Sequence, residues 1–273
     1  APDATTPSPA ENHTAQRDAL RVEPVESAGA EPTALDRRVA GASRLFWLWF
    51  ATGASLVSVA FGGAFFSLGM SLRQSIVAIL AGIVLSFVPL VAGTLAGKRS
   101  GASTMVISRA TFGILGNIPA TVLALLNRLF WGAVFLWVLG QAGLALLGGA
   151  GLSFGLTNTG LALASMGAAL VLCLLIAALG YSAILWMQRI LTVVTAVLVT
   201  GFIVLTAGRV DLGQAMSVPD GPWLLVVTGA VLVFSFVGLA WANSSADLAR
   251  YQHPTSSGVA TVGWTILGAG LPS

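Results

Sequence analysis

The sequence is poor in charge, and in negative charge above all. Asp, Glu, Lys and Arg make up 8% of its 273 residues, against about 25% in soluble domains. No Asp or Glu occurs between Arg37 and Arg209, and every Glu precedes Asp36. Cysteine is represented by Cys173 alone and histidine by His13 and His253. That scarcity excludes a disulfide framework and a thiol metal site. It also leaves no His, Glu or Cys cluster for acid–base or nucleophilic chemistry, which argues against an enzyme. The pI of 9.8 does not signal nucleic-acid binding, because the cations are scattered singly and form no patch. What is abundant is apolar surface: 56% of residues are hydrophobic and the mean hydropathy is +0.89. Such a chain is an integral membrane protein. Cys173, inside an apolar run, reads as a small buried or lipid-facing residue.

Residues 1–43 are rich in Ala, Pro, Thr and Glu and lack apolar periodicity, so they are expected to form a disordered tail. The tail has no signal-peptide pattern, and a start at Ala1 rather than Met reads as a trimmed terminus. From residue 44 to 273 the chain reads as one transmembrane domain. Its apolar runs recur at the roughly 20-residue length that crosses about 30 Å of hydrocarbon. Spans are predicted at 45–67, 73–96, 118–149, 160–180, 185–207 and 223–244, with a seventh beginning near Ser257. Arg37, Arg38, Arg44, Lys98, Arg99, Arg109, Arg189 and Arg250 fall on the side of the N-terminus, and Arg73 and Arg209 fall opposite. This asymmetry places the N-terminus in the cytoplasm of a multi-pass cell-membrane protein. Arg128 lies deep in the third span, where a charge faces the bundle interior or snorkels out. Trp47, Trp49 and Trp223 read as interface anchors. The stretch 98–116 is long and only half apolar, and is expected to be a short interfacial helix or re-entrant segment. In it Met105, Val106 and Ile107 would lie against the bundle while Arg109 stays among headgroups.

Within the first span, Thr52–Gly63 (TGASLVSVAFGG) carries three glycines and two serines where a simple anchor would carry leucine. Glycine lowers helix stability by roughly 1 kcal/mol relative to alanine, and a loosened backbone survives in lipid only where protein or a water-filled cavity covers it. A spanning helix is therefore expected to open there. The run Thr52–Gly62 aligns without gaps on Thr228–Gly238, sharing Thr, Gly, Ala, Leu, Val and the closing Gly. Transporters built from inverted repeats interrupt the first helix of each repeat near the midplane. The offset makes spans one to five one repeat and the sixth span the start of a second, in which this chain would stop early. On the sixth span, Phe234, Ser235 and Gly238 then occupy the predicted break.

Two segments support a family resemblance. Met105–Gly116 (MVISRATFGILG) and Ser245–Pro254 (SADLARYQHP) resemble the signatures after the second and sixth helices of the nucleobase:cation symporter-1 family. Trp131 with Gln141 in the third helix adds a third match, and Trp241–Tyr251 is most similar to the purine and cytosine permease branch. The resemblance implies a LeuT-type fold of two inverted five-helix repeats. It also implies import of a nucleobase or related heterocycle, coupled to Na+ or H+, with no other cofactor. The chain would act as a monomer in the lipid bilayer. It further implies that Trp131 stacks on the substrate and that a polar residue one turn later bonds its edge. Here that position is Phe135, a departure that either admits a more apolar ligand or leaves the polar contact to Asn127 or Gln141; allantoin-, hydantoin- or thiamine-type substrates are the alternative to a nucleobase. Trp241 matches a tryptophan of the purine branch. Backbone groups and hydroxyls around Gly53, Ser55 and Ser58 would supply substrate contacts and half of a cation site, the other half coming from an eighth helix beyond Ser273. Oxygen donors of this kind suit hard cations. Asp247 and Arg250, three residues apart, are placed for an ion pair or gate contact near Arg109. A channel or facilitator for small polar solutes is the rival reading.

Overall fold

The computed structural model describes residues 31–54, 58, 62–64 and 66–273. These residues divide between two compact units. The first holds 31–111 and 185–273, and the second 112–184, and each is described by itself. In chain order the helices are α1 (Arg44–Gly53), α2 (Leu72–Ser100), α3 (Thr104–Ile107), α4 (Arg109–Gly149), α5 (Asn158–Ala178), α6 (Tyr181–Ala207), α7 (Leu212–Ser217), α8 (Trp223–Val233), α9 (Ala240–Ala249) and α10 (Gly258–Gly270). A π-helical segment, Phe234–Leu239, joins α8 to α9 in one continuous span. Five of the described helices are long and apolar enough to cross a membrane.

Local chemistry sets the ends. Ser71 starts α2 with a capping box, its hydroxyl accepting from Gln74 N and the Gln74 side chain accepting from Ser71 N. Gly101, at φ +69°, stops it in the left-handed conformation that glycine tolerates. Thr157 caps α5 and Ser257 caps α10 through the side-chain oxygen alone, accepting from Gly160 N and Ala260 N. α4 is two helical pieces across a kink at Gly113 (φ 71°, ψ 178°). The expected spans from the second to the seventh match α2, α4, α5, α6, the α8–α9 span and α10 to within a few residues, apart from the extension of α4 back to Arg109.

In the first unit the core is built where α2 meets α8 and the π segment. Met70, Ala78, Ile83, Val226 and Val233 are buried together, with Phe87 and Phe236 packed against them. Small residues line the α2 face toward the sixth span. A Cβ on Gly82 would sit 2.7 Å from Ala230 O, and one on Gly97 would sit 2.6 Å from Ala246 Cα. Lipid supplies no hydrophobic drive between helices, so this close approach is what holds them.

The expected disorder of residues 1–43 needs correcting at its C-terminal end. Within 31–43, Thr33, Arg38 and Ala40 are buried while most of their neighbours stay exposed, and Ala40 pairs in parallel with Gln252. Short backbone pairings and one buried cation hold this stretch, and these leave no periodic apolar pattern to read.

At the opposite end of α2 a polar clamp ties it to the start of α8. Asp220 accepts hydrogen bonds from Arg73 Nε (2.9 Å) and Ser71 Oγ (2.6 Å). Gln74 both donates to Gly221 O (2.8 Å) and accepts from Gly221 N (2.9 Å). The Arg73 guanidinium and then the Ser71 hydroxyl hold the Asp220 carboxyl below its usual range. A carboxylate whose folded pKa is depressed contributes stability above its unfolded value of about 3.9, and loses it as pH falls through the folded one. Asp220→Asn is therefore expected to lower Tm at pH 7 but to match the parent once the pH is well below about 3.9, which thermal unfolding at the two pH values checks.

Candidate functional site

α1 ends where the glycine-rich stretch begins. It covers ten residues to Gly53, and Ala54 leaves helical geometry at φ −74°, ψ 87°. The Gly53 carbonyl accepts a hydrogen bond from Ser58 Oγ at 2.7 Å, and Thr52 Oγ1 donates back to Trp49 O at 2.7 Å. The expected opening is therefore present at Gly53. Of the cation and substrate candidates on this span, Gly53 and Ser58 are brought together, and Ser55 lies outside the described residues. Pro272 packs on the opening: a Cβ on Gly53 would sit 2.8 Å from Pro272 Cγ and 3.3 Å from Ser273 Oγ. Alanine for glycine within a helix ordinarily gains about 1 kcal/mol. At Gly53 the stiff proline ring reverses the sign, and Gly53→Ala is expected to destabilise by about 1–3 kcal/mol, read as a lower Tm.

The sixth span differs from expectation. It is not broken at Phe234, Ser235 and Gly238 but continues through a π-helical turn over Phe234–Leu239. A π turn inserts one residue into the hydrogen-bond ladder and keeps the chain helical, and such turns recur at functional positions. Its geometry is fixed by packing. Gly238 is buried against Ser86, where a Cβ would lie 2.9 Å from Ser86 Cα, and Ser235 Oγ donates to Val231 O at 2.8 Å. The sequence echo thus links a severed helix at Gly53 with a continuous one at its counterpart Gly229, which is buried against Ala78 and Met70. Trp241 meets Trp49 edge to face, with ring centroids 6.4 Å apart. Trp49 is 2% exposed, so it is a core residue and not the interface anchor it resembled. Trp223, 62% exposed, remains compatible with an anchor.

Near the end of α9, Asp247 Oδ1 accepts from Thr104 N at 3.0 Å, at the first turn of α3. Arg250 donates to Tyr251 Oη at 2.8 Å and lies 4.9 Å from that ring's centroid. The expected short helix in 98–116 is α3, packed on α2 and α9, with Met105, Val106 and Ile107 half-buried. Arg109, exposed, opens α4.

The second unit carries Trp131 and Phe135 on α4. Their rings are 5.9 Å apart at 32°, and Phe130 meets Trp131 edge to face at 5.4 Å. Asn127, Arg128 and Gln141 are exposed on the same helix. Gly140 and Gly143 let α4 approach α5 closely, against Met166 and Ser165. Among the described residues no group of His, Cys, Asp and Glu could hold a metal ion.

Sequence reasoning missed three elements of this arrangement: the Trp49–Trp241 contact, the Gly93-xxx-Gly97 stripe and the ordered segment before α1. The stripe had a signal, since small residues four apart on a spanning helix mark a packing face. The Trp49 contact had none, because one tryptophan in an apolar run is equally an anchor or core.

Five described helices long and apolar enough to cross a membrane, a first helix that ends at Gly53 and a sixth span with a π turn define a polytopic helical membrane protein. The chain matches, over residues 32–273, the family described as permeases for cytosine/purines, uracil, thiamine and allantoin, and it belongs to that family, the nucleobase:cation symporter-1 transporters. It resembles the solved structure of Mhp1, a transporter of the same family in a closed conformation with bromovinylhydantoin bound. The TM-score is 0.70 and the identity 28%, over 90% of this chain and 55% of Mhp1. The fold is thus of the LeuT type, as the resemblance implied. An uncharacterized permease of Schizosaccharomyces pombe is 30% identical over 106 residues, 39% of this chain and 19% of the relative. The chain therefore spans about half of Mhp1 and a fifth of the yeast relative.

Proposed function

We propose that the protein is a secondary active transporter that imports a nucleobase such as cytosine or a purine, or a related heterocycle, by alternating access coupled to Na+ or H+. The observation that carries this reading is the severed first span. The Gly53 carbonyl and Ser58 hydroxyl, 2.7 Å apart, are oxygen donors of the kind hard cations select. Backbone left outside a helix at membrane depth is tolerated only where it faces protein or a cavity. The π turn of the sixth span supplies a second irregular backbone beside Trp241, with Phe234, Ser235 and Gly238 as its candidate contacts. Trp131 is assigned to stack on the flat face of the heterocycle, with Phe135 extending the aromatic surface. Asp247, Arg250 and Arg109 are assigned to a gate on the N-terminal side, taken as cytoplasmic. The protein is read as a cell-membrane monomer.

The substrate class has a second reading. Phe135 offers no hydrogen bond to a substrate edge, so a ring with an apolar substituent fits it better than a bare pyrimidine. Mhp1 with bromovinylhydantoin bound makes substituted hydantoins the natural comparison. Thermal stabilisation of the purified protein by adenine, cytosine, uracil, allantoin, thiamine and a 5-substituted hydantoin tests both. Stabilisation by at least one in a Na+- or pH-dependent manner is expected. No response to any of them contradicts the assignment, and preference for cytosine over the hydantoin contradicts the second reading.

A further inference from the structure

Four cations that stand as two distant pairs in the sequence, Arg37 with Arg38 and Lys98 with Arg99, are gathered at the end of α2. Arg38 donates to Lys98 O, and a Cβ on Gly101 would lie 3.4 Å from Arg38 Nη1. Thr33 N donates to Gly101 O at 2.8 Å, which fixes the first pair beside the second. The inner member of each pair is buried, Arg38 at 6% exposure and Lys98 at 8%. Lys98 Nζ donates to a carbonyl, Pro254 O, at 3.3 Å, and Arg38 Nε has no hydrogen-bond partner. Among the described residues no carboxylate pairs with either.

A buried charge without a counter-ion is costly. The end of α2 carries a helix dipole equivalent to about half a negative charge. Against it stand two buried positive charges and two more on the exposed Arg37 and Arg99. Glu31 and Asp36 are the acids of the described stretch before α1, and both are exposed to solvent, while Asp247 is engaged by Thr104 N. The corner therefore keeps a positive field that favours an anion from outside. Apolar surface adjoins it. Leu35 is 71% exposed two residues before Arg37. On α2, Leu85, Val88 and Ala92 are exposed, and Arg99 lies on the same face about three turns beyond Val88. Val88 is near the middle of α2, so a rise of about 1.5 Å per residue carries Arg99 roughly 16 Å along the span, to headgroup depth in a layer about 30 Å thick. A soluble anion would use the cations alone, whereas an anion carried on acyl chains uses both surfaces.

We propose that this corner binds an anionic phospholipid: Arg37 and Arg99 hold its phosphate over the buried Arg38 and Lys98, and its acyl chains lie along Leu35 and the Val88 face of α2. Basic pockets at the ends of spanning helices recognise acidic headgroups through this combination of charge and depth. The inference rests on the chain's being a membrane protein and is independent of the substrate it moves.

The test uses the whole protein in detergent micelles. Binding of dioctanoyl phosphatidylglycerol is followed by thermal shift and by native mass spectrometry, with dioctanoyl phosphatidylcholine and glycerol phosphate as separate arms. Phosphatidylglycerol is expected to stay bound and to raise Tm, less so as salt is added, and the other two compounds to do neither at the same concentration. Arg37→Gln combined with Arg99→Gln is expected to weaken phosphatidylglycerol binding about 10- to 30-fold. Arg37→Lys combined with Arg99→Lys keeps most of the affinity, and Arg209→Gln, which the charge pattern places on the opposite side of the membrane, keeps all of it. Equal affinity of the glutamine pair and the parent overturns the site. Equal stabilisation by phosphatidylcholine removes the role of charge, and equal affinity for glycerol phosphate removes the acyl chains; either result overturns the lipid assignment. If the glutamine pair does not fold, Arg99→Gln alone is measured on the same two readouts, with unchanged affinity overturning the site.

Discussion

Replacing Gly97 by valine is expected to cost at least about 3 kcal/mol and to remove most of the folded protein from a membrane preparation. A Cβ at position 97 would lie 2.6 Å from Ala246 Cα and 2.8 Å from its carbonyl carbon. These are backbone atoms, so no rotamer change relieves the contact and the two spans must part. Ordinary overpacking of a core costs about 1–3 kcal/mol. Here the loss sits at the upper end or beyond, because parting α2 from α9 also undoes the neighbouring turn, where Gly93 faces Ala242 O and the fully buried Ser245. The comparison is Gly167→Ala on α5, which meets nothing within 4 Å and is expected to leave Tm unchanged or slightly raised. Size-exclusion yield and thermal unfolding of the two variants check the contrast.

Removing the Trp131 ring is the second large effect. Stacking of a heterocycle on an aromatic side chain is worth about 1–3 kcal/mol. Trp131→Ala is therefore expected to weaken binding about 5- to 150-fold without a matching loss of stability, since the ring is only half-buried on α4. Trp131→Phe keeps a π face and should lose far less. The neighbouring Phe135 ring lies 5.9 Å away, tilted by 32°, so Phe135→Gln is expected to shift preference from apolar-substituted rings toward those with a polar edge. Binding isotherms for one nucleobase and one substituted hydantoin across the three variants check both statements. Equal affinity of Trp131→Ala and the parent removes Trp131 from the site.

Much of the fold was legible in the sequence because lipid imposes a simple rule: an apolar run of about 20 residues must be a helix. Charge at the run ends and caps such as Ser71, Thr157 and Ser257 then locate the boundaries. The severed helix was legible for a different reason, the clustering of glycine and serine after Thr52. The same reasoning failed at Thr228–Gly238, where a similar string continues as a helix. Gly229 and Gly238 serve packing there, letting α8 and the π turn lie against Ala78 and Ser86. A glycine that loosens a backbone and one that admits a neighbour have the same letter, and only the tertiary contact separates them. The anchoring of residues 31–43 was illegible because Ala40, Arg38 and Gln252 act through backbone pairing and one guanidinium, neither of which leaves a period. Likewise, the Asp220 clamp joins residues 147 positions apart, a distance at which charge pairing cannot be read from one sequence.

The central claim is that a heterocycle and a cation are moved together around the opening at Gly53. It is tested most directly by uptake of radiolabelled cytosine, adenine, uracil, allantoin, thiamine and a 5-substituted hydantoin into proteoliposomes of the whole protein. Each is assayed with an inward Na+ gradient, with an inward H+ gradient and with neither. Saturable uptake of at least one compound that rises with one of the two gradients is the expected result. Flux that neither saturates nor responds to either gradient indicates a channel and contradicts the account, as does the absence of uptake for every compound.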